Sequence, residues 1–393
     1  MELKLGTAII KFMSNRSIYY VSLILFFWYA NHPDLFERKF FINEFLSAVG
    51  FMIFFSNPVF YRKGDYIYNN VIFIVVTFLF YALISLLFFE NFDGYLRNTV
   101  LLYSVFSFFL GTRLYDALSK VKKYDILFLS AIFPVHKVSY LALIPLYLSK
   151  LSKSFSNYSV IIIFFGLFAI AWVKGGSSSV AVALLILFIW LMSKRTKLLM
   201  LFVAVGVGIW FILYLKPYLG ILMTDGIWVA MSRSEILQLD GNSTTRFFMW
   251  SWLIFERFYE NVFGIGLGTA MLEIPFLKDL NMGNVVKSDP LIEYTLGAHN
   301  SFIGIMVRFG LIGIIPFICL YWRIINSFTN DKIFYSHSKV FFFYYAFFII
   351  TGCAMLNVVL ESPIHASLYW GVLGLLYQAI QDTRLAVGAN AEV

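Results

Sequence analysis

What most limits the fold of this chain is a repeated pattern: apolar runs of about 20 residues, each fenced by a short basic cluster. Residues 71–89 (VIFIVVTFLFYALISLLFF) carry no charge at all. As a helix such a run reaches about 30 Å, the thickness of a bilayer's hydrocarbon layer. With 60% hydrophobic and only 13% charged residues, and a mean hydropathy of +0.80, the 393-residue chain lies outside the range of soluble domains. It is expected to be an all-α polytopic integral membrane protein. The formal charge of +8 is spread over the connections between apolar runs. That spread is a topology signal, and it implies no nucleic acid partner. Cys319 and Cys353 both fall in apolar segments, where packing is the expected use.

The basic clusters set the path. The N-terminus (MELKLGTAIIKFMSNR) is basic, with no small-residue cleavage site after it, so 17–31 is expected as a retained first span. Further spans are expected near 40–60, 71–89 and 99–116, with YRKGD (61–65) and SKVKK (119–123) on the cytoplasmic side. The run 126–148 lies between two basic clusters, which favours two short or re-entrant segments over one ordinary span. Residues 159–190 make two spans with a tight outer turn at KGGSSS (174–179), and 198–215 leads out again. The chain then stays outside for about 80 residues, 216–298. Spans from His299, near 340–358 and near 365–380 complete about 12, with both termini cytoplasmic. Three regions follow: 1–215 with nine spans and short loops, 216–299 as one large outer loop with amphipathic helices, and 300–393 with the last three spans and the C-terminus.

Polar chemistry concentrates in 240–313. Asn242, Ser243 or Thr244 can cap a helix beginning near Thr245 and running to about Asn261. Arg246, Trp250, Leu253 and Arg257 then share one stripe, with the two arginines about 16 Å apart along the axis, too far to hold one small anion together. Arg257 has Glu256 beside it and Glu260 one turn on, so an ion pair is expected there. Arg246 sits at the positive end of the helix, which makes it either an anion site or a solvated end. The turn GIGLG (264–268) follows, and GAHNSFIGIMVRFGLIG (297–313) leads into the next span.

This layout resembles the superfamily of O-antigen polymerases and O-antigen ligases: a basic residue in a short outer turn, a late large loop with R-x-x-x-W (Arg246, Trp250), then G-I-G-L-G, then H-N-S-F entering a span with F-G-x-x-G. The resemblance implies a GT-C-like glycosyltransferase, free of cofactor and metal, acting at the periplasmic face of the bacterial inner membrane. Such an enzyme transfers a glycan from undecaprenyl diphosphate to a sugar hydroxyl. By the same resemblance His299 is the catalytic base, and Arg246 binds the diphosphate. The family's second arginine is replaced by Lys174, a point charge without the bidentate fork. The implied partners are the undecaprenyl-diphosphate-linked glycan donor and acceptor and the lipid bilayer, with a chain-length regulator and a flippase acting on the same lipid-linked glycan. The polymerase is favoured. The ligase that caps lipid A-core is the alternative, and a flippase or transporter of the lipid-linked unit is the rival of another class.

The residue types suit the chemistry. Histidine has an ordinary pKa fit for accepting a hydroxyl proton, and a guanidinium at a helix N-terminus suits a departing diphosphate. No D-x-D or H-E-x-x-H and no clustered His/Cys set occurs. Each residue also has a plainer use: His299 as a packed helix-start residue, Lys174 as a lysine reaching the interface, and His136 and Lys137 as a solvated turn rather than cavity lining. Arg308, nine residues beyond His299 and so on the opposite helix face, is a weaker substrate-binding candidate that needs a partner or a wet cavity, as is Arg257. Asp34 and Glu37 would be the carboxylates of a metal-using transferase; a solvated loop is the simpler reading. Glu44 and Glu361 carry no assigned role.

Overall fold

The computed structural model describes residues 40–56, 58–118, 225, 229, 241–273, 275–276, 294, 297–330 and 338–391. The spans expected at 17–31, 126–148, 159–190 and 198–215 lie outside them, as do Asp34, Glu37, His136, Lys137 and Lys174. The described elements in chain order are α1 (Phe40–Ser56), α2 (Tyr66–Ser85), α3 (Phe92–Asn98), α4 (Val100–Tyr103), a 3-10 turn (Ser104–Phe106), α5 (Ser107–Leu118), α6 (Gly241–Trp252), a π-helical segment (Leu253–Phe258), α7 (Ser301–Asn330), α8 (Ser338–Leu356) and α9 (Pro363–Ala391). Among the described residues there is no strand. Tyr66–Ser85, Ser301–Phe328 and Lys339–Leu356 are long and apolar enough to cross a bilayer, and Glu44–Ser56 is a shorter apolar helix. The protein is therefore an α-helical membrane protein.

Local chemistry sets the helix ends. α1 stops at Ser56, two residues before Pro58, whose ring disfavours helix in the residue ahead of it. Asp65 Oδ1 accepts from the Tyr68 amide at 3.2 Å and so caps α2, which starts at Tyr66, five residues earlier than hydropathy suggested. Asn91 Oδ1 accepts from the Gly94 amide at 2.8 Å and caps α3. Pro363 opens α9, where a missing N–H costs nothing. α9 then runs on to Ala391, well past the expected span end near 380.

The chain divides into two compact units: Met1–Val75 with Val100–Ile189 and Cys319–Val393, and Val76–Thr99 with Trp190–Ile318. In the first, α9 is the central helix, packed on α5, α8 and α1. Bilayer helices gain little from the hydrophobic effect between themselves, so close backbone approach and hydrogen bonds hold them instead. A Cβ at Gly111 would sit 2.1 Å from the Gly371 carbonyl oxygen, and one at Gly374 2.1 Å from that of Phe108. Ser47 Oγ lies 3.2 Å from Ser107 Oγ and 3.4 Å from Ser367 Oγ, pinning α1, α5 and α9 together. Phe328 stacks on Tyr344 with centroids 3.7 Å apart. Glu44 Oε1 accepts from the Tyr103 hydroxyl at 2.7 Å.

The span expected at 99–116 is not one continuous α-helix. The 3-10 turn Ser104–Phe106 interrupts it where α1 presses closest, for a Cβ at Gly50 would meet the Phe106 carbonyl oxygen at 2.0 Å. The tighter turn leaves room for that approach, and the Ser47–Ser107 contact follows directly after it.

Candidate active site

The candidate site is built in the second unit. α6 begins at Gly241, so 242–244 lie within its first turn rather than ahead of it as caps. Phe248, Met249, Trp252 and Leu253 are buried, and Trp252 stacks on Phe276 at 4.8 Å. Arg246 is half-buried on the same helix. From Leu253 the backbone widens into the π-helical segment, which breaks the steady rotation of about 100° per residue behind the expected Arg246–Arg257 stripe.

Arg257 does form an ion pair, but with Glu273 at 3.5 Å instead of its helix neighbours Glu256 or Glu260. It also donates to the Ala270 carbonyl. The chain folds back after the glycine-rich turn and brings 270–273 under the guanidinium, an encounter that helix spacing could not foretell.

That turn is wedged. Gly264, Gly266 and Gly268 all have positive φ (91°, 81° and 76°). A Cβ at Gly264 would lie 2.4 Å from the Arg308 carbonyl oxygen, and one at Gly266 2.6 Å from Ser85 Oγ. The Ile265 and Gly266 amides donate to the Val307 and Arg308 carbonyls at 3.0 and 2.9 Å, and the Leu311 amide to that of Val262 at 3.1 Å. Those carbonyls are available because Gly310 leaves helical geometry (φ 62°, ψ −161°) inside α7. On the other side Ser85 Oγ accepts from the Leu267 amide at 2.8 Å, and the Gly268 carbonyl accepts from the Glu90 and Asn91 amides. Phe78 of α2 stacks on Phe309 at 4.3 Å.

Arg308 is 2% exposed. Its guanidinium donates to the carbonyls of Tyr294 (2.9 Å), Gly266 (3.3 Å) and Thr269 (3.5 Å), joining the glycine-rich turn to α7 and to Tyr294.

His299 closes the site. Trp250 Nε1 donates to the Ala298 carbonyl at 2.5 Å, fixing α6 against the residue before it. Asn300 Oδ1 accepts from the Phe302 and Ile303 amides at 3.0 and 3.2 Å, capping α7. Between these anchors His299 takes φ 49°, the one positive φ outside glycine among the described residues. Burial pushes the His299 imidazole below its ordinary pKa, and the nearby Arg246 guanidinium lowers it further. Residues 53 positions apart thus share one electrostatic neighbourhood, in which a neutral imidazole, able to take a proton, stands by a fixed positive charge. Ser85 left no signal in the sequence; Trp250 and Asn300 stood there as letters of the R-x-x-x-W and H-N-S-F motifs, Asn300 also as a capping residue directly ahead of an apolar run. Among the described residues no group of three or more His, Cys, Asp and Glu side chains could hold a metal ion.

Fold and site together define a helical membrane protein with a histidine–arginine centre beside the start of a span. Residues 158–318, about two fifths of the chain, match the family model described as O-antigen ligase. This stretch, which contains Arg246, the glycine-rich turn and His299, is similar to the O-antigen ligase/polymerase superfamily, whose members are glycosyltransferase-like enzymes of the bacterial inner membrane. No curated protein and no solved structure matches the chain.

Proposed function

We propose that the protein is a metal-independent, GT-C-type polymerase of a surface polysaccharide, working at the periplasmic face with both termini in the cytoplasm. The donor is an undecaprenyl-diphosphate-linked glycan, and the acceptor is the terminal sugar of a lipid-linked repeat unit. His299 removes the acceptor hydroxyl proton. The freed oxygen attacks the donor's anomeric carbon, the carbon–oxygen bond to phosphate breaks, and the diphosphate leaves with that electron pair while Arg246 and Lys174 hold it. A single displacement inverts the anomeric centre. Arg308 and the glycine-rich turn serve as the frame, since the guanidinium is engaged by backbone carbonyls.

The observation that carries this reading is that the Arg246 charge acts on the buried His299 imidazole. It also supplies a sequence of events. While the diphosphate is absent, burial and, as the smaller cause, the Arg246 charge hold the imidazole pKa down; when the diphosphate covers Arg246 that smaller cause is removed, and the histidine becomes a stronger base as the hydroxyl arrives. The ligase reading, transfer to lipid A-core, has the matched family's description in its favour. A deletion strain separates the two: lipopolysaccharide capped with a single repeat supports a polymerase, whereas bare core with accumulating lipid-linked polymer supports a ligase. Complementation with His299→Ala is expected to restore neither product; an intact ladder from that variant overturns the base assignment.

A further inference from the structure

In the first unit a cavity of about 180 Å³ opens beside the turn that leads into α2. Arg62, Arg113, Tyr377 and Gln378 give it a polar end, while Ile53 and Phe54 line its apolar side. Arg62 is held in place: its Nη1 donates to the Tyr377 hydroxyl at 2.8 Å, and its guanidinium carbon lies 4.1 Å from the Tyr68 ring centroid. Two carboxylates stand close by and each is engaged by neutral donors: Asp65 accepts from the Tyr377 hydroxyl at 2.5 Å, the Gln381 amide at 3.3 Å and the Tyr68 amide at 3.2 Å, and Asp382 accepts from the Gln378 amide at 3.0 Å. Among the described residues Arg62 forms no ion pair with either. Arg113, exposed on α5, has neither a hydrogen bond nor an ion pair among the described residues. Two guanidinium groups therefore face this space, while the neighbouring carboxylates Asp65 and Asp382 are occupied by neutral donors.

The cavity's level matters as much as its charge. Tyr66 is the first residue of a 20-residue helix apolar enough to cross a bilayer, so the polar end lies where headgroups lie. Arg323 stacks over the Tyr66 ring at 4.3 Å, adding a third cation at that level. Next to the apolar side, Phe51, Phe55 and Phe60 are 45%, 50% and 63% exposed, a surface suited to acyl chains.

We propose that this cavity binds the phosphate of an anionic phospholipid of the phosphatidylglycerol type, Arg62 and Arg113 taking the phosphate oxygens and the Phe51–Phe60 surface taking the acyl chains. The cavity shares no residue with the His299–Arg246 centre, and the proposal stands whether or not that centre is catalytic.

The test is thermal unfolding of the full-length purified protein in mild detergent, titrated with phosphatidylglycerol, phosphatidylcholine or inorganic phosphate. Phosphatidylglycerol is expected to raise the melting temperature, and phosphatidylcholine to leave it unchanged. In Arg113→Gln the apparent affinity should fall about tenfold, as for loss of a charge-assisted contact, while the lipid-free melting temperature stays put because Arg113 holds nothing in the fold. Equal shifts from both lipids, or undiminished affinity in Arg113→Gln, overturn the proposal. A shift from inorganic phosphate matching that of phosphatidylglycerol overturns the lipid assignment and leaves an ion site. Should Arg113→Gln fail to fold, Arg113→Lys keeps the charge without the fork; a smaller loss of affinity is expected, and no loss counts against the site.

Discussion

At the scale of residues, the centre is defined by one imidazole whose basicity is set by two causes. Burial is the larger and the Arg246 charge the smaller, and both act against protonation. If His299 is the base, activity falls as pH drops through its pKa, and the acid limb of kcat/KM in the wild type should lie below the ordinary histidine value of about 6.5. Arg246→Gln removes the second cause only. Its limb should move upward without reaching the ordinary value, alongside a loss of activity from weaker diphosphate binding. A limb that stays where it was would separate the two residues. Arg308 makes a different kind of prediction. Arg308→Met fills the same space but leaves buried carbonyls without their donor, at a cost of roughly 3 kcal/mol that thermal melts in detergent would show as a lower Tm.

Elements carry the next set of constraints. The glycine-rich turn needs positive φ at alternate residues and also contact closer than any Cβ allows, while Gly64 has positive φ (77°) with open space around it. The pair isolates the two effects. Gly64→Ala should cost about 1 kcal/mol, the backbone penalty alone. Gly266→Ala adds a clash with Ser85 Oγ and should cost roughly 2–4 kcal/mol, with activity lost as the turn shifts under α7. Melting curves for both variants, measured side by side, check the ordering. The π-helical segment belongs at this scale too: its wider turn swings Arg257 away from the direction a uniform helix implies, and toward Glu273.

For the whole molecule, the proposed topology puts the 61–65 turn in the cytoplasm and the end of the π-helical segment in the periplasm. With Cys319 and Cys353 replaced by serine, Lys63→Cys should react with an impermeant maleimide only in inverted vesicles, and Tyr259→Cys, 79% exposed, only in intact spheroplasts. Labelling of both from one side overturns the arrangement. The membrane class, the helical build and the polar stretch bearing His299 and Arg246 were legible in the residues, because apolar length and charge fences act over one helix at a time. The boundaries moved where capping side chains outweighed hydropathy, as Asp65 did for α2. Other features belonged to tertiary structure alone: Ser85 under the Leu267 amide, Trp250 on the Ala298 carbonyl, and Arg308 gathering carbonyls from Gly266, Thr269 and Tyr294. Each joins groups far apart in the chain, and a hydrogen bond between such groups depends on how the backbone returns, which no local periodicity encodes.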